Sequence, residues 1–274
     1  MKKHTPLISL RASRFNSTGT IFCLPGAGDG ITSFVNLTGA MTNGLAVYGL
    51  QPRGLVDNQE PYPSIEAMVN EYIDAILSKI NGGPYYIMGH SFGGYVALSI
   101  AKTLQESGCD IAPVILLDVS PPENPHPHKN RIENLLCLVA TMELASKKNF
   151  NLTFDTLALL DVEAQLQTLH SRMVANGLLP GNSNPETIRG MVGLYIANSH
   201  MEYWPSDKYE GAALYVNAVD AKENKQERYR SLERWRNFIP RIKYAESPGN
   251  HVTMLNNNNA QVLIKLIERE WNLT

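Results

Sequence analysis

Short apolar runs bounded by turn-forming residues recur along the chain, and segments with helical periodicity lie between several of them. The runs are Thr20 to Leu24, Ala46 to Leu50, Tyr85 to Gly89, Val114 to Asp118, Ala213 to Val219 and Ile242 to Glu246. Runs of this kind, rich in β-branched residues, are typical of buried strands. Ser64 to Ile80 and Tyr95 to Gln105 show the apolar stripe of amphipathic helices. The alternation predicts an α/β fold with a mostly parallel central sheet flanked by helices.

One stretch, from about 121 to 204, interrupts this alternation. It contains no convincing strand, but helical patterns occur at Lys129 to Lys148, Asp161 to Asn176 and Pro185 to Met201. Because the stretch follows a strand, we expect it at the carboxyl edge of the sheet, where ligands bind in such folds. The sequence therefore predicts one domain over residues 1–274, with a helical lid insertion at about 121–204 that begins with a proline-rich linker at 121–128.

The composition narrows the classes of function. A net charge of -2 over 274 residues provides no basic field for nucleic acid. No apolar run reaches membrane-spanning length, and no signal-peptide core follows the first residues. The three cysteines, Cys23, Cys109 and Cys137, have no metal-binding spacing, and we interpret them as core residues of a protein in a reducing compartment. We expect a cytoplasmic protein with no metal site.

The segment Gly89-His90-Ser91-Phe92-Gly93 fits the G-x-S-x-G pattern and lies between a predicted strand and a predicted helix. This context is the one in which a sharp turn exposes a nucleophilic serine above the sheet of an α/β-hydrolase. Without that context the pattern is weak, because a glycine-rich turn can carry an incidental serine. The sequence thus predicts Ser91 as a nucleophile and the α/β-hydrolase fold.

A serine hydroxyl needs a base to remove its proton, and a histidine is the usual base. His251 follows the last predicted strand and precedes a C-terminal helix, which places it in a loop at the carboxyl edge of the sheet. A nucleophile that precedes the histidine in the chain is also the α/β-hydrolase order. We expect His90 to be structural, because strand geometry turns it away from Ser91. The remaining candidates, assigned to packing or surface of the insertion, are His126, His128, His170 and His200.

Two aspartates could hold the tautomer of His251. Asp118 ends the strand that follows the Ser91 helix, and Asp220 ends the next strand, nearer to His251 in the chain. Hydrolases in general favour the later position, but either aspartate could instead cap a loop or helix. The residues by themselves leave both open.

A tetrahedral oxyanion needs two backbone donors, and the amide of Phe92, the residue after the nucleophile, is the first. Gly26 or Ala27, in the glycine-rich loop after the first predicted strand, would supply the second. The rival interpretation is a phosphate-binding loop. It is disfavoured because the loop lacks a Lys-Ser/Thr ending and the full dinucleotide spacing.

At these residues the chain resembles the thioesterase domains that terminate nonribosomal peptide and polyketide synthetases. The similarity covers almost the whole chain. The matching segments are Pro6 to Arg11, Phe22 to Gly28, Tyr48 to Gly54, Gly89 to Gly94 and Pro248 to Leu255. The segment Tyr48-Gly49-Leu50-Gln51-Pro52-Arg53-Gly54 is the most family-specific of them.

The resemblance implies that Ser91 receives an acyl or peptidyl chain from the phosphopantetheine arm of a carrier protein and releases it by hydrolysis or macrocyclisation. No cofactor of its own is implied, and the partners are the carrier domain and a small acyl or peptidyl substrate. In this family the acid usually follows the strand after the elbow, which favours Asp118. The family's first oxyanion donor corresponds to Gly26, where many members carry a bulkier residue. The insertion corresponds to the family's lid.

Other functions stay open. The start at Pro6-Leu7-Ile8-Ser9-Leu10-Arg11 resembles domains attached downstream of a carrier domain. A free-standing editing thioesterase would use the same site. An esterase acting on free small esters and an inactive carrier-binding module are the remaining alternatives.

Overall fold

The computed structural model describes residues 5–14, 19–56, 59–80, 82–124, 128–220 and 225–273. The strands are β1 Leu7–Arg11, β2 Thr20–Leu24, β3 Ala46–Leu50, β4 Tyr85–His90, β5 Val114–Leu117, β6 Ala212–Ala218 and β7 Arg241–Ser247. The α-helices are α1 Val35–Ala40, α2 Ile65–Lys79, α3 Phe92–Glu106, α4 Arg131–Ser146, α5 Phe154–Ala158, α6 Val162–Ala175, α7 Glu186–Ser199, α8 Lys225–Arg236 and α9 Asn257–Glu270. Two short 3-10 helices are Ile31–Phe34 and Thr253–Leu255.

Among the described residues, seven strands form one sheet in the order β1-β3-β2-β4-β5-β6-β7. β1 pairs with β3 in the antiparallel direction, and every other neighbouring pair is parallel. The predicted α/β fold with a mostly parallel sheet is confirmed. The six predicted strands agree with β2 to β7 within one residue at each end. Strands β2, β4 and β5 are buried at every residue, as is typical of central strands of a parallel sheet, whereas β7 is a partly exposed edge strand.

Helices cover both faces of the sheet. One buried cluster joins the sheet to α2, α3 and α8, and a second joins it to α1 and α9. Helix α2 shows why the pattern works: Ser64 accepts a hydrogen bond from the Ala67 N–H at its start, and Ile65, Met68 and Tyr72 share its buried face. This two-sided cover leaves the carboxyl ends of the strands as the open edge of the fold.

Helices α4 to α7 lie between β5 and β6 in the chain, and we call this segment, Arg131–Ser199, the insertion. It has a buried cluster of its own, built on residues such as Leu135, Leu166 and Val192. The predicted helical patterns agree with α4, α6 and α7 within two residues, and no strand occurs among the described residues of 121–204. Part of the predicted linker, residues 125–127, lies outside the described residues.

Four of the strands and α-helices were not predicted, and one of them, α1, has only six residues, too few for a helical period to stand out. Strand β1 is a short edge strand with no fully buried residue, so it lacks the signal of a buried run. Helix α8 is highly charged, and of its residues 226–236, whose burial is described, only Leu232 and Trp235 are buried, which leaves little apolar periodicity to detect. Helix α5 has five residues, too few for a helical period to stand out.

Two structural findings concern the cysteines and the membrane. Only Cys23 of the three cysteines is fully buried, whereas Cys109 and Cys137 are half-buried, so the interpretation of all three as core residues was too broad. In the parts of the chain that the structure describes, no helix has both the length and the apolar character needed to span a bilayer.

Candidate active site

Ser91 lies at the sharp turn between β4 and α3, above the carboxyl edge of the sheet. Its backbone has φ 52 and ψ -128, a conformation that non-glycine residues rarely adopt and that costs free energy. The Ser91 N–H donates to the Leu117 carbonyl of β5 at 3.0 Å, and the Ser91 carbonyl accepts from the Gly94 N–H at 2.9 Å. The strained turn is therefore held from both sides.

The two glycines of the Ser91 motif are required by space. A Cβ added at Gly89 would lie 2.1 Å from the Gly93 carbonyl oxygen, and one added at Gly93 would lie 2.3 Å from the Leu24 carbonyl oxygen. Both distances are far inside van der Waals contact, and both obstacles are backbone. Only glycine allows β2, β4 and α3 to approach this closely, which brings the loop after β2 against Ser91.

His251 comes from the loop between β7 and α9, and Asn250 shapes that loop. The Asn250 Oδ1 accepts hydrogen bonds from the Val252 and Thr253 N–H groups at 3.1 and 3.0 Å. Its Nδ2 donates to the Leu144 carbonyl of α4 at 3.2 Å, which ties the loop to the insertion. This role of Asn250 was not predicted from the sequence, although an asparagine next to the histidine is a typical turn signal.

The structure brings Ser91, His251 and Asp118 together. The His251 Nε2 lies 3.1 Å from the Ser91 Oγ, and the His251 Nδ1 lies 2.8 Å from the Asp118 Oδ2. Because an ionised carboxylate can only accept, Nδ1 carries the proton and Nε2 is free to accept the serine proton. This arrangement can remove the Ser91 proton when an electrophile approaches.

Asp118 is held as a carboxylate in a partly enclosed position. Burial acts to raise the pKa of Asp118, but the hydrogen bond and charge of His251 and the Ala218 N–H outweigh it, so the pKa lies below its ordinary value. The Ala218 N–H donates to the Asp118 Oδ1 at 2.9 Å. Behind it, the Trp235 Nε1 donates to the Val119 carbonyl at 3.0 Å. Helix α8, absent from the sequence prediction, thus fixes the loop that carries the carboxylate.

Asp220, the other candidate acid, is exposed, and its described contact is a backbone one. The Asp220 N–H donates to the Gly249 carbonyl at 3.0 Å, at the start of the His251 loop. The geometry therefore gives the contact with the imidazole to Asp118. The catalytic role of either residue stays a prediction.

His90 is buried beneath the His251 loop, in line with the structural role predicted for it. Its Nε2 lies 2.6 Å from the His251 carbonyl oxygen, to which it donates as Nε2–H. Burial, together with the nearby His251, lowers the pKa of His90 from 6.5 to about 3, so the ring is neutral in the folded protein. His90 thus supports the backbone of His251 without adding a charge.

The predicted oxyanion donors lie beside Ser91. Phe92 is the first residue of α3, where a backbone N–H has no partner within the helix. A Cβ added at Gly26 would lie 3.3 Å from the Ser91 Cβ, so this part of the loop after β2 faces the serine. Ala27 adjoins Ser91 as well, in the wall of the cavities described next. The choice between Gly26 and Ala27 stays a prediction.

Two cavities meet at Ser91. The polar cavity measures about 400 Å³, the apolar cavity about 210 Å³, and both are bounded by Ala27, Ser91 and His251. Hydroxyl and amide side chains dominate the wall of the polar cavity: Tyr95, Ser120, Asn198, Ser199, Asn217 and Ser231. Side chains of α4 and α7 dominate the wall of the apolar cavity: Leu138, Thr141, Met142, Ala145, Met191 and Tyr195.

The described histidines of the insertion and its flanks make local contacts. His128 pairs with Glu202 at 3.3 Å, the His170 Nε2 lies 2.9 Å from the Ser183 Oγ, and the His200 Nε2 lies 3.1 Å from the Lys129 carbonyl oxygen. These contacts agree with the packing and surface roles predicted for them, and His126 lies outside the described residues. Among residues with a described position, no three His, Cys, Asp or Glu side chains cluster as metal ligands would.

Several curated relatives match nearly the whole of this chain, and the chain spans about a quarter of the length of each of them. An atromentin synthetase of Serpula lacrymans var. lacrymans is 26% identical over 261 residues, which is 93% of this chain and 27% of the relative. An inactive atromentin synthetase of Paxillus involutus is 25% identical over the same share of both chains. A malpinin synthetase of Mortierella alpina is 42% identical over 85 residues, 31% of this chain and 1% of that protein.

Solved structures with the same fold include thioesterases. A four-domain nonribosomal peptide synthetase bound to AMP and glycine has a TM-score of 0.86 at 20% identity, over 98% of this chain and 20% of that one. The Vlm2 thioesterase domain bound with a dodecadepsipeptide has a TM-score of 0.72 at 20% identity, over 98% of this chain and 99% of that one. YbtT, a type II thioesterase, has a TM-score of 0.69 at 16% identity, over 97% of this chain and 98% of that one. These likenesses confirm the α/β-hydrolase fold.

A family model also matches most of this chain. The model of the thioesterase domain matches residues 19–270. This range begins just before β2 and ends with α9, so it contains all of the site residues described above. The chain therefore belongs to the thioesterase-domain family.

Proposed function

We propose that this domain takes an acyl group from the phosphopantetheine thioester of a carrier protein onto Ser91 and then releases it. The observation that carries the proposal is the connected set of contacts from Asp118 through His251 to Ser91, at 2.8 and 3.1 Å. Both distances are within the range required for proton transfer. Overall similarity carries less weight, because an inactive synthetase is about as similar to this chain as its counterpart from Serpula lacrymans.

The first half of the reaction forms the acyl-enzyme. The Ser91 Oγ attacks the thioester carbonyl carbon while His251 Nε2 takes the serine proton, and Asp118 stabilises the resulting imidazolium. The N–H groups of Phe92 and Gly26 stabilise the tetrahedral oxyanion. When the intermediate collapses, the C–S bond breaks, and the pantetheine sulfur leaves with the proton from His251.

The second half releases the acyl group. Water, or a hydroxyl or amine within the substrate, attacks the ester carbonyl of acyl-Ser91 and gives its proton to His251 Nε2. That proton then returns to the Ser91 Oγ as the C–O bond breaks, which regenerates the free enzyme. Attack by water gives hydrolysis, and attack by an internal group gives a macrocycle. The insertion acts as a lid over this step, because α4 and α7 form a wall of the apolar cavity beside Ser91.

A carrier protein as partner is supported by the relatives and neighbours. The matching atromentin synthetases are covered by this domain over 27% of their length, and one structural neighbour is a four-domain nonribosomal peptide synthetase. We propose that the acyl group reaches Ser91 on the pantetheine arm of such an assembly, whether this domain belongs to the assembly or acts on it as an editing thioesterase.

Two assays with purified protein test the proposal. A fluorophosphonate probe is expected to label Ser91 in the folded wild type and not in Ser91→Ala. The rate of thiol release from an acyl-pantetheine thioester is then compared with hydrolysis of the oxygen ester of the same acid. Preference for the thioester supports the proposal, and preference for the oxygen ester indicates an esterase. A folded protein that is neither labelled nor active indicates a carrier-binding module.

A further inference from the structure

We propose that the two cavities beside Ser91 divide the substrate at the thioester bond. The apolar cavity takes a hydrocarbon or aromatic acyl group, and the polar cavity takes the amide-bearing pantetheine arm. This inference rests on the proposed thioesterase function and narrows its substrate class from acyl or peptidyl chains to non-peptidyl, largely apolar acyl groups.

The position of Ser91 supports a division at this bond. Ala27, Ser91 and His251 bound both cavities, so a chain that occupies both passes the serine hydroxyl and the imidazole. The carbonyl that Ser91 attacks must lie at the same point. One part of the substrate therefore extends from the carbonyl into each cavity.

The apolar cavity is too small for a peptide, and four of the six side chains that α4 and α7 contribute to its wall are apolar. Its volume of about 210 Å³ is below the roughly 300–1,000 Å³ of sites that enclose drug-sized ligands. Leu138, Met142, Ala145 and Met191 provide no hydrogen-bonding groups for peptide amides, which are costly to bury unpaired. Asp29 also lines this cavity, and burial raises the pKa of its carboxyl, which disfavours the charged form there. The interior suits one apolar group, to whose shape the methionines can adapt.

The polar cavity contains a buried acceptor that a pantetheine amide can satisfy. Asn198, near the end of α7, lines this cavity with only 3% of its surface exposed. No described residue donates a hydrogen bond to its buried Oδ1. A buried unpaired amide oxygen is costly, and an N–H from a ligand relieves the cost. Pantetheine brings two secondary amides whatever acyl group it carries, so the polar side suits the constant part of the substrate.

Two variants with matched controls test the division. Ala145→Phe fills the apolar cavity, and Ala140→Phe places the same change at an exposed position of α4. Asn198→Leu removes the buried amide at similar volume, and Asn182→Leu is its control in the exposed loop before α7. Three thioesters are compared: 3-phenylpropanoyl-pantetheine, acetyl-pantetheine and 3-phenylpropanoyl-ethanethiol.

The two variants are expected to affect different substrate ratios. In the wild type, kcat/KM favours phenylpropanoyl over acetyl, and pantetheine over ethanethiol, each by about tenfold or more. Ala145→Phe removes the preference for phenylpropanoyl over acetyl and keeps the preference for pantetheine over ethanethiol. Asn198→Leu reduces the preference for pantetheine over ethanethiol by about tenfold and keeps the preference for phenylpropanoyl over acetyl. Its melting temperature is not lowered, because the substitution removes an unpaired buried polar group. Both control variants behave as the wild type.

Other outcomes overturn the inference in distinguishable ways. In one such outcome, the wild type is active while each variant changes the kcat/KM ratio assigned to the other, or neither variant changes a ratio. The division of the substrate is then wrong, and the thioesterase function stands. If the wild type is folded but cleaves none of the three thioesters and is not labelled by fluorophosphonate, the proposed function fails and the division fails with it.

Discussion

His251 Nε2 lies 3.1 Å from Ser91 Oγ, although 160 residues separate the two in the chain. The contact depends on two supports beneath the His251 loop. His90, the neighbour of Ser91, donates to the His251 carbonyl, and Asn250 folds the loop through its own side chain. The residue that precedes the proposed nucleophile thus helps to set the position of the proposed base.

The backbone strain at Ser91 gives a prediction that separates activity from stability. Ser91→Ala and Ser91→Gly both lack the hydroxyl, so each is expected to lower the rate of thiol release by at least about a thousandfold. The glycine variant relieves the positive φ of 52, whereas the alanine variant does not. Ser91→Gly is therefore expected to be more stable than Ser91→Ala by about 1 kcal/mol, measured by urea unfolding.

The control for this comparison is Ser99, a serine inside α3 whose Oγ donates to the Tyr95 carbonyl. At a helical position, glycine is expected to be less stable than alanine by about 1 kcal/mol. The same order of stability at Ser91 as at Ser99 would show that the turn at Ser91 stores no strain.

The two candidate acids are separated by their asparagine variants. Asp118→Asn keeps an acceptor for the Ala218 N–H but no longer holds the Nδ1–H tautomer of His251, so kcat is expected to fall by about a hundred- to ten-thousandfold. Asp220→Asn is expected to change kcat by less than about threefold, since Asp220 is exposed and its described contact is made by its backbone. Steady-state kinetics on one acyl-pantetheine thioester provide the measurement. A larger loss in Asp220→Asn than in Asp118→Asn would contradict the assignment.

The choice between these aspartates shows where the sequence is sufficient and where it is not. The mostly buried strands β2 to β6 could be predicted because a buried strand is apolar whatever its neighbours are. Both aspartates follow such strands, and local sequence does not distinguish them. What selects Asp118 is its left-handed backbone at φ 50 and the path of the His251 loop, both of which depend on tertiary contacts.

The residues that position the site were harder to predict than the residues proposed to react. Trp235 fixes the loop after Asp118 from a helix whose sequence is mostly charged. Asn198 stands out only because its buried oxygen has no donor among the described residues, which is a property of packing and not of a motif. Ser91 and His251 could be proposed from the sequence because their chemistry demands particular residue types at particular strand ends.

The loop after β2 contains two glycines that are expected to tolerate an added Cβ to different degrees. Gly28 has φ +77, and a Cβ there would lie 2.9 Å from the Tyr195 Cβ of α7. Gly28→Ala is therefore expected to lower the free energy of unfolding by about 1–3 kcal/mol and to reduce kcat by about ten- to a hundredfold, because the loop with the proposed oxyanion donor must move. Urea unfolding and steady-state kinetics measure the two effects.

Gly26→Ala is the matched variant in the same loop. A Cβ at Gly26 would lie 3.3 Å from the Ser91 Cβ and from the His90 Nδ1, which a shift of a few tenths of an ångström relieves. Its backbone N–H is retained, so kcat is expected to stay within about tenfold of the wild type. A greater loss of stability in Gly26→Ala than in Gly28→Ala would mean that the loop does not press on α7 as described.

The neutral, buried ring of His90 predicts how stability depends on pH. Its folded-state pKa of about 3 lies below the ordinary value of 6.5, so below pH 6.5 the unfolded chain binds a proton that the folded protein does not. Stability from this group is complete above that pH and is lost as the pH falls towards 3. Between pH 7 and pH 5, His90→Phe is expected to lose about 1–2 kcal/mol less unfolding free energy than the wild type.

Urea unfolding of both proteins at pH 8, 7, 6 and 5 measures this difference, and the other histidines are common to both, so their titration largely cancels. Asp118 does not confound the comparison, because its lowered pKa places its loss of stability below pH 3.8, outside the measured range. Between pH 8 and pH 7 the difference in unfolding free energy between the two proteins is expected to stay nearly constant.

His90→Phe also removes the hydrogen bond to the His251 carbonyl, so kcat is expected to fall by about tenfold with KM little changed. Parallel stability curves down to pH 5 would show that His90 is protonated in the folded protein, and its neutral support of the His251 loop would then be wrong.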